Sequence, residues 1–331
     1  MYQPTRRGHR RRDLIALLGG AAVAWPFIAR AQQKAMPVIG ILDGGSGGPM
    51  SSPFRQGLRE TGYVEGQNVA FEHRWAMGRY DRLPELAAEL VALNVDVIVT
   101  AGGTVSARAA KHATSTIPIV FSTGGDPVES GLVVSYARPG GNLTGVSIMA
   151  TALDAKRLEL VSELAPHATV IAALVNLNDQ AFPQQEELEE AARARGIQFH
   201  VLRASSESEI DEAFLKLLEY KAGAVLISPD GFFNTRRSQL VALAERYGIP
   251  TIYPLRFFAE AGGLISYGND LTRSFHDLGI YTGQILNGAK PANLPVQRPI
   301  KFELVINLYA AKALGLTVPQ SLLARADEVI E

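Results

Sequence analysis

Short apolar runs alternate with longer amphipathic stretches from residue 37 onward. Short apolar runs bounded by Gly, Pro or Asn are typical of buried strands, whereas apolar residues spaced three and four apart are typical of helices. In the first half of the chain this pattern predicts strands at 37–42, 68–74, 95–100, 118–122 and 142–147, and helices near 53–62, 81–93 and 104–114. Steady alternation of this kind favours parallel sheets with helices on both faces.

The second half of the chain repeats this order. Val170 follows Val38 by 132 residues, and Pro250 follows Pro118 by the same distance. The pattern predicts strands at 169–175, 197–202, 223–228 and 250–253, and helices near 183–195, 207–220 and 234–247. A short strand between glycines at 262–268, a helix at 271–287 that ends at Gly288, the segment 301–307 and a helix at 308–314 complete the chain.

Two similar halves predict an α/β fold with two doubly wound parallel-sheet lobes joined by a three-crossover hinge. We expect residues 36–148 and about 269–296 to form the N-terminal lobe, and residues 149–266 and about 301–331 to form the C-terminal lobe. The chain is expected to cross between the lobes near 148–152, 265–269 and 296–303. Such a pair of lobes suggests a clamshell that binds a small molecule between its halves.

Residues 1–31 have the pattern of a cleavable export signal. An arginine-rich start is followed by an apolar stretch at 14–28 and by a small-x-small site that ends at Ala31. The pair Arg11 and Arg12 resembles a twin-arginine export signal, and a general secretory leader with extra arginines is the alternative. We predict cleavage after Ala31, a mature chain that starts at Gln32, and a periplasmic location.

Composition and charge exclude several classes of function. The chain is 47% hydrophobic and 20% charged, as in soluble globular proteins. Six arginines and one aspartate lie in residues 1–31, so the remainder carries a net charge of −6, which argues against a nucleic-acid partner. The absence of cysteine excludes a disulfide, a thiolate nucleophile and a lipid attached at an N-terminal cysteine.

Polar residues follow three predicted strands of the first lobe, and ligands bind at this edge of open parallel sheets. Ser46 lies in a glycine-rich loop after the first strand, Thr104 and Ser106 follow the third, and Asp126 follows the fourth. Thr104 and Ser106 begin a predicted helix whose free N–H groups suit a ligand carboxylate. The alternatives are a loop without ligand contact around Ser46, and simple capping by Thr104, Ser106 and Asp126.

Two polar residues hold comparable places in the second lobe. Asn176 follows its first strand and Asp230 follows its third. A carboxylate here would complement a ligand ammonium group, although Asp230 could instead cap the following helix. Tyr267 and other aromatic residues near this rim suggest an apolar ligand body, while most of them are expected in the core: Phe232, Phe233, Tyr253, Phe257 and Phe258.

Catalytic and metal-binding patterns are absent from the sequence. The six histidines show no metal-ligand spacing, and no Gly-x-Ser-x-Gly nucleophile motif occurs. The glycine-rich loop lacks the spacing of a dinucleotide fingerprint. We therefore expect no catalytic residue, no metal and no cofactor.

Seven segments together resemble a known family. They are RRDLIALLGG at 11–20, MPVIG at 36–40, FRQGL at 54–58, GYVEGQN at 62–68, GDPV at 125–128 with GLV at 131–133, PGGNLTGVS at 139–147 and ALGLTVP at 313–319. In this combination the chain resembles ABC-transporter substrate-binding proteins of the tryptophan/hydrophobic amino-acid type, which have the type I periplasmic binding-protein fold. The resemblance extends from residue 36 to residue 331.

The resemblance implies a periplasmic receptor that closes around a small ligand, an amino acid or a related small carboxylate. It also implies an ABC permease in the inner membrane as partner, with ATP hydrolysed by a separate subunit, and it puts the ligand carboxylate near Thr104. We expect a freely diffusing monomer without nucleic acid. The alternatives are a periplasmic ligand-sensing module that feeds a membrane receptor, a periplasmic enzyme, and a cytoplasmic effector domain of the repressor type.

Overall fold

The computed structural model describes residues 36–45, 51–176, 185–298 and 301–331. From Pro37 onward these residues form one compact unit that contains two sheets. Among the described residues, no helix is both long enough and apolar enough to cross a bilayer.

The first sheet is parallel throughout. Its strands are β1 (Val38–Asp43), β2 (Ala70–Trp75), β3 (Val97–Ala101), β4 (Ile119–Thr123) and β5 (Leu143–Ser147), in the order β2-β1-β3-β4-β5. The connecting helices are α1 (Ser51–Glu60), α2 (Leu83–Ala92) and α3 (Thr104–Ala113). Strands β3, β4 and β5 are buried along their whole length because helices cover both faces of the sheet. All of these elements were predicted to within two residues at each end.

The second sheet has seven strands. They are β6 (Val170–Val175), β7 (Gln198–Arg203), β8 (Ala224–Ile227), β9 (Thr251–Tyr253), β10 (Ile265–Asn269), β11 (Phe302–Asn307) and β12 (Glu328–Ile330), in the order β12-β11-β10-β9-β8-β6-β7. Its helices are α4 (Asp154–Leu164), α5 (Gln185–Arg193), α6 (Glu207–Glu219), α7 (Gly231–Thr235), α8 (Arg237–Tyr247), α9 (Arg256–Glu260), α11 (Leu308–Ala313) and α12 (Gln320–Leu323). Two such α/β lobes confirm the predicted fold class.

Two strands, β11 and β12, depart from the parallel arrangement that the alternating pattern predicts, since β12 runs parallel to β11. Strand β11 pairs with β10 in the antiparallel direction, from Ile265 opposite Ile306 to Asn269 opposite Phe302. Between these strands the chain leaves the second sheet, forms α10 (Leu271–Leu286) against the first sheet, and returns. The chain re-enters the sheet at the same edge at which it left, with Phe302 opposite Asn269, so β11 runs in the opposite direction to β10.

Helix α10 packs against α1 and so belongs to the first lobe. Glycines allow this close crossing. A Cβ atom at Gly57 of α1 would lie 2.0 Å from the carbonyl oxygen of His276, and one at Gly279 of α10 would lie 2.2 Å from the carbonyl oxygen of Phe54. The two backbones therefore touch directly, which fixes a late segment of the chain to the first sheet.

The sequence pattern missed helix α4, which follows the first crossing between the lobes. Leu158, Val161 and Leu164 pack into the core at helical spacing. Asp154 and Arg157 interrupt this apolar pattern, yet both are fully buried and form an ion pair. The guanidinium of Arg157 also donates to the carbonyl oxygens of Ala150 at 2.8 Å and Tyr267 at 2.7 Å. It thus joins the first connection between the lobes to β10, where the second connection begins.

Candidate functional site

The carboxyl ends of the two sheets are in contact across the space between the lobes. Gly102 follows β3, and Gly231 begins α7 beyond β8. A Cβ atom at Gly231 would lie 2.9 Å from the carbonyl oxygen of Gly102. Nearby, a Cβ atom at Gly78 of the first lobe would lie 2.8 Å from the ring of Phe232 of the second. The lobes are therefore closed on each other.

Asp230 is the most highly connected polar side chain of this region. Its Oδ1 accepts hydrogen bonds from Asn176 Nδ2 at 2.8 Å and from the backbone N–H groups of Phe232 at 2.7 Å and Phe233 at 3.4 Å. These contacts lie within the second lobe and make Asp230 the N-cap of α7. Asp230 therefore caps α7, and the cap holds the carboxylate in one orientation.

The other oxygen of Asp230 faces the first lobe. Tyr80 donates its hydroxyl hydrogen to this carboxylate, with distances of 3.0 Å to Oδ2 and 3.1 Å to Oδ1. The Tyr80 hydroxyl in turn accepts from the N–H of Phe232 at 2.9 Å. Sequence reasoning missed Tyr80, which lies in a short turn after β2, although the carboxyl end of β2 is at the same edge as those of β1 and β3.

The environment of Asp230 changes its acidity. Burial raises the pKa of Asp230 above its ordinary value, whereas the hydrogen bonds from Asn176, Tyr80, Phe232 and Phe233 act in the opposite direction. All these partners donate hydrogen bonds, so they stabilise the ionised form. A charged carboxylate held at this position has the chemistry needed to bind an ammonium group.

Thr104 and Ser106 lie in the first turn of α3, as predicted, but neither caps that helix. The N-cap is Gly103, with φ of 101°, and no side chain accepts a hydrogen bond there. Thr104 Oγ1 lies 2.5 Å from Thr123 Oγ1 at the end of β4. The hydroxyl of Ser106 is buried without a hydrogen-bond partner among the described residues. Within the described part of the chain, the start of α3 therefore combines N–H groups that no side chain caps with an unused hydroxyl, which suits a ligand carboxylate.

Asp126 is occupied by contacts within its own loop. Its Oδ1 accepts from the N–H groups of Val128 at 2.7 Å and Glu129 at 3.1 Å, and its Oδ2 accepts from the Tyr136 hydroxyl at 3.0 Å. Burial raises the pKa of Asp126, but these three donors outweigh it, so its pKa lies below the ordinary value. This arrangement favours the capping alternative for Asp126.

The remaining predicted residues have different positions. Asn176 is buried at the end of β6 and donates to Asp230, so it positions the carboxylate. Tyr267 packs against the core of the second lobe, with its ring centroid 6.3 Å from that of Phe302, and does not join the cluster around Asp230. Ser46 lies outside the described residues.

The aromatic residues near the rim divide into two groups. Phe232 contacts the first lobe at Gly78. Tyr253 and Phe258 stack on each other inside the second lobe at 4.9 Å, and Phe257 and Phe258 stack at 5.1 Å. Most of these aromatic residues therefore lie in the core of the second lobe, as expected.

Asn269 is a further polar residue that sequence reasoning missed. It ends β10 at the second connection between the lobes, and only 2% of its surface is exposed. Neither its Oδ1 nor its Nδ2 has a hydrogen-bond partner among the described residues. Because β10 is parallel to β9, its carboxyl end lies at the edge where Asp230 follows β8. A buried amide without partners at this edge is a candidate ligand contact.

No group of three or more His, Cys, Asp or Glu residues in the described ranges could hold a metal ion. The polar groups at the two edges are thus hydroxyls, amides, backbone N–H groups and the carboxylates of Asp43 and Asp230.

Comparison with known proteins extends this description. The family model described as ABC transporter substrate binding protein matches residues 36–330. A tyrosine-binding protein of Clostridioides difficile (strain R20291) is 29% identical over 264 residues, which are 80% of this chain and 75% of that protein.

Two solved structures have the same architecture. A conserved domain protein from Vibrio cholerae has a TM-score of 0.79 and 29% identity, and the match covers 89% of this chain and 99% of that chain. An ABC domain in complex with L-Trp from Streptococcus pneumoniae has a TM-score of 0.75 at the same identity and coverage. The fold is therefore that of type I periplasmic binding proteins, and the family resemblance inferred from the sequence is confirmed.

Proposed function

Because the chain belongs to the family of ABC transporter substrate-binding proteins, we propose that it closes its two lobes around an aromatic amino acid and delivers it to a membrane permease. The family consists of proteins that bind small-molecule ligands and work with an ABC transporter. The names of two relatives support the ligand class, since one is a tyrosine-binding protein and the other was solved in complex with L-Trp.

The observation that carries this proposal is the orientation of Asp230. Asn176 and the first N–H groups of α7 hold Oδ1, whereas Oδ2 faces the first lobe. A carboxylate oxygen accepts two hydrogen bonds, so Oδ2 has room for a ligand donor besides Tyr80. We assign the ligand ammonium group to Oδ2.

The ligand carboxylate is assigned to the start of α3. The N–H groups of its first turn, with the partial positive charge of the helix, attract an anion. The buried hydroxyl of Ser106 and that of Thr104 are next to these groups. The amide of Asn269 at the second connection is our third candidate contact, because it can both donate and accept.

The setting of this activity follows from the same proposal. We assign residues 1–31 to a cleaved export signal of the twin-arginine type and the mature protein to the periplasm. Its partner is an ABC permease in the inner membrane, and the protein itself is a monomer without cofactor or enzymatic activity. Purifying the exported form of the protein from cells that express the full chain, and sequencing its N-terminus, tests the cleavage after Ala31.

The decisive experiment is ligand binding by the mature protein from Gln32 onward. Native mass spectrometry would reveal a ligand that copurifies, and thermal shift with the twenty amino acids would identify one that stabilises. A ligand at a hundredfold excess over its Kd stabilises the folded state by about 2.7 kcal/mol. We expect this from L-tyrosine, L-tryptophan or L-phenylalanine, and no stabilisation by any amino acid would overturn the proposal.

Analogues then separate the two halves of the site. The compound 3-phenylpropionate has the carboxylate of phenylalanine without its ammonium group, and phenethylamine has the ammonium group without the carboxylate. Both should bind at least about a hundredfold more weakly than phenylalanine, since each leaves one charged contact unmade. Equal binding of 3-phenylpropionate and phenylalanine would refute the assignment of Asp230.

A further inference from the structure

Tyr80 forms hydrogen bonds between the two lobes that can exist only when the lobes are closed. It lies in the turn Tyr80–Arg82 of the first lobe, and its hydroxyl forms hydrogen bonds with Asp230 and the N–H of Phe232, which belong to the second. The hydroxyl donates to the carboxylate and accepts from the N–H, so it uses both of its capacities across the interface. Opening the lobes must break both hydrogen bonds at once.

The first lobe holds the segment before Tyr80 firmly. The N–H groups of Ala76, Met77 and Gly78 donate to the carbonyl oxygens of Asp43, Gly45 and Gly44 at 2.9, 3.0 and 2.8 Å, respectively. These three bonds tie the loop to the end of β1. Tyr80 therefore moves with the first lobe as a rigid body.

The second lobe holds the partner of Tyr80 with equal firmness. Asn176 and the capping N–H groups of α7 fix Asp230 through Oδ1, and none of these donors belongs to the first lobe. The carboxylate is thus oriented in the same way whether the lobes are open or closed. A rigid donor and a rigid acceptor that meet only on closure require little rearrangement to form their bond.

We propose that Tyr80 is an interlobe latch, a positioning residue whose hydroxyl stabilises the closed form by the same factor whichever ligand is bound. This inference rests on the proposed function, since it concerns the closure that accompanies binding. A ligand is held tightly only in the closed form, so its apparent affinity rises with the stability of that form. The latch adds to affinity without contributing to the choice of ligand.

The test compares Tyr80→Phe with Tyr63→Phe. The first substitution removes the hydroxyl of the latch and keeps its ring, which packs against the cores of both lobes. The second removes a hydroxyl that donates to Asn287 at 3.1 Å within the first lobe. Both variants lose one hydroxyl of a partly buried tyrosine, and only the first loses a contact between the lobes.

Binding is measured by calorimetry with L-tyrosine, L-tryptophan and L-phenylalanine as probes. We expect Tyr80→Phe to weaken the binding of each amino acid that binds, and by the same factor of about ten in every case. This is the loss expected for a hydrogen bond to a charged group, and it should appear in koff. Tyr63→Phe should leave the affinities unchanged. Unequal factors among the probes would instead make Tyr80 a direct ligand contact. An unchanged affinity would show that the hydroxyl does not stabilise the closed form, and a tighter affinity would make it a competitor of the ligand. Each of these results overturns the latch.

A second measurement needs no ligand and therefore separates failure of the latch from failure of the proposed function. The chain has no cysteine, so spin labels attach cleanly at Glu85→Cys on α2 and Ser238→Cys on α8, both exposed. Electron–electron distance measurements on the ligand-free protein then report the ratio of closed to open forms. We expect Tyr80→Phe to lower this ratio about tenfold and Tyr63→Phe to leave it unchanged. The same distance distribution in all three proteins would refute the latch even if no amino acid binds.

Discussion

The two edges that meet between the lobes differ in how their polar groups are used. At the second-lobe edge, the carboxylate of Asp230 accepts hydrogen bonds from Asn176 and from the N–H groups of α7. At the first-lobe edge, the start of α3 has no side-chain cap, and the hydroxyl of Ser106 is buried without a partner among the described residues. The second-lobe edge thus holds its carboxylate in a fixed orientation. The first-lobe edge retains unused donors near Asp43, whose buried carboxylate accepts from the N–H of Gly45 at 2.8 Å.

This difference suits a ligand with two opposite charges. A negative side chain complements an ammonium group, and free N–H groups at a helix start complement a carboxylate. The second-lobe edge is fully assembled within its own lobe, so it needs no change on closure. The first-lobe edge keeps donors that a ligand can satisfy, so ligand binding favours the closed form.

The largest effect on binding is expected from Asp230→Asn, which removes the charge of the second-lobe edge. Asparagine is as good an N-cap as aspartate, so α7 and the melting temperature should change little. The affinity for the amino acid should fall about a hundredfold, because the ligand ammonium loses its only proposed charged partner. Calorimetry and thermal denaturation of the variant check this, and an unchanged affinity would show that the ammonium binds elsewhere.

Gly231→Ala tests the close contact between the two edges. The new methyl group would lie 2.9 Å from the carbonyl oxygen of Gly102 and 3.0 Å from the Tyr80 hydroxyl. It should hinder closure and weaken binding about tenfold, while the ligand-free protein stays as stable as before because alanine is the better helix residue. Small-angle scattering with and without ligand measures closure directly.

Its matched control is Gly124→Ala in the first lobe, after β4. A methyl group there would be 3.8 Å from its nearest neighbour, the Cβ of Ala150, which is an ordinary contact. This variant should bind and close like the original protein. If both glycine variants behave alike, the close approach of Gly231 and Gly102 has no role in closure.

Ser106→Ala tests the unused hydroxyl of the first-lobe edge. Removing a buried hydroxyl without partners should leave the ligand-free protein equally or slightly more stable. The affinity for the amino acid should fall about fivefold. Ser266→Ala is the control, since its hydroxyl is also buried without a partner among the described residues but lies within β10. Equal losses of affinity in both variants would contradict the assignment of the carboxylate to α3.

The smallest predicted effect is a pH dependence of thermal stability that arises in the first lobe and not in the second. In the first lobe, His276 of α10 lies 3.0 Å from Glu60 of α1, and this hydrogen bond raises the pKa of His276. A raised pKa in the folded state means that the stabilisation is present below about pH 6.5, the ordinary value for histidine, and is lost as pH rises through the folded pKa. The melting temperature should therefore decrease slightly, by about 1 °C, between pH 6 and pH 8.

The control is His276→Gln, which should lack this part of the pH dependence. The second lobe offers the contrast, because its ion-pair network uses Arg256 with Glu260, Glu303 and Glu328. A guanidinium stays protonated throughout this range, so the second lobe should not respond. A melting curve of His276→Gln with the same slope against pH as the original protein would contradict this origin.

Local patterns predicted the elements well where one residue type dominates a segment. Strands β3 and β4 each begin with three consecutive apolar residues, so they could be recognised without knowledge of their neighbours. Helix α4 was missed because Asp154 and Arg157 are polar, and only their pairing inside the fold allows them to be buried. The direction of β11 was equally inaccessible, since it depends on the path of the chain through the other lobe.

Only some residues of the candidate site could be predicted from the sequence. Asp230, Thr104 and Ser106 could be named because they follow strands of a parallel sheet, where side chains meet at one edge. Tyr80 and Asn269 could not, because nothing in their neighbouring residues indicates a partner. Tyr80 meets Asp230 across 150 residues of chain, and Asn269 is buried only because β10 lies inside the second sheet.

By itself, the sequence determined two α/β lobes, their parallel strands and the family, because apolar periodicity and short motifs are local properties of the chain. The tertiary structure alone decided that β11 runs antiparallel to β10, that Asn176 positions Asp230, and that Tyr80 bridges the cleft. These features depend on distances between residues far apart in sequence. Such distances arise only when the lobes pack and close, which no local pattern encodes.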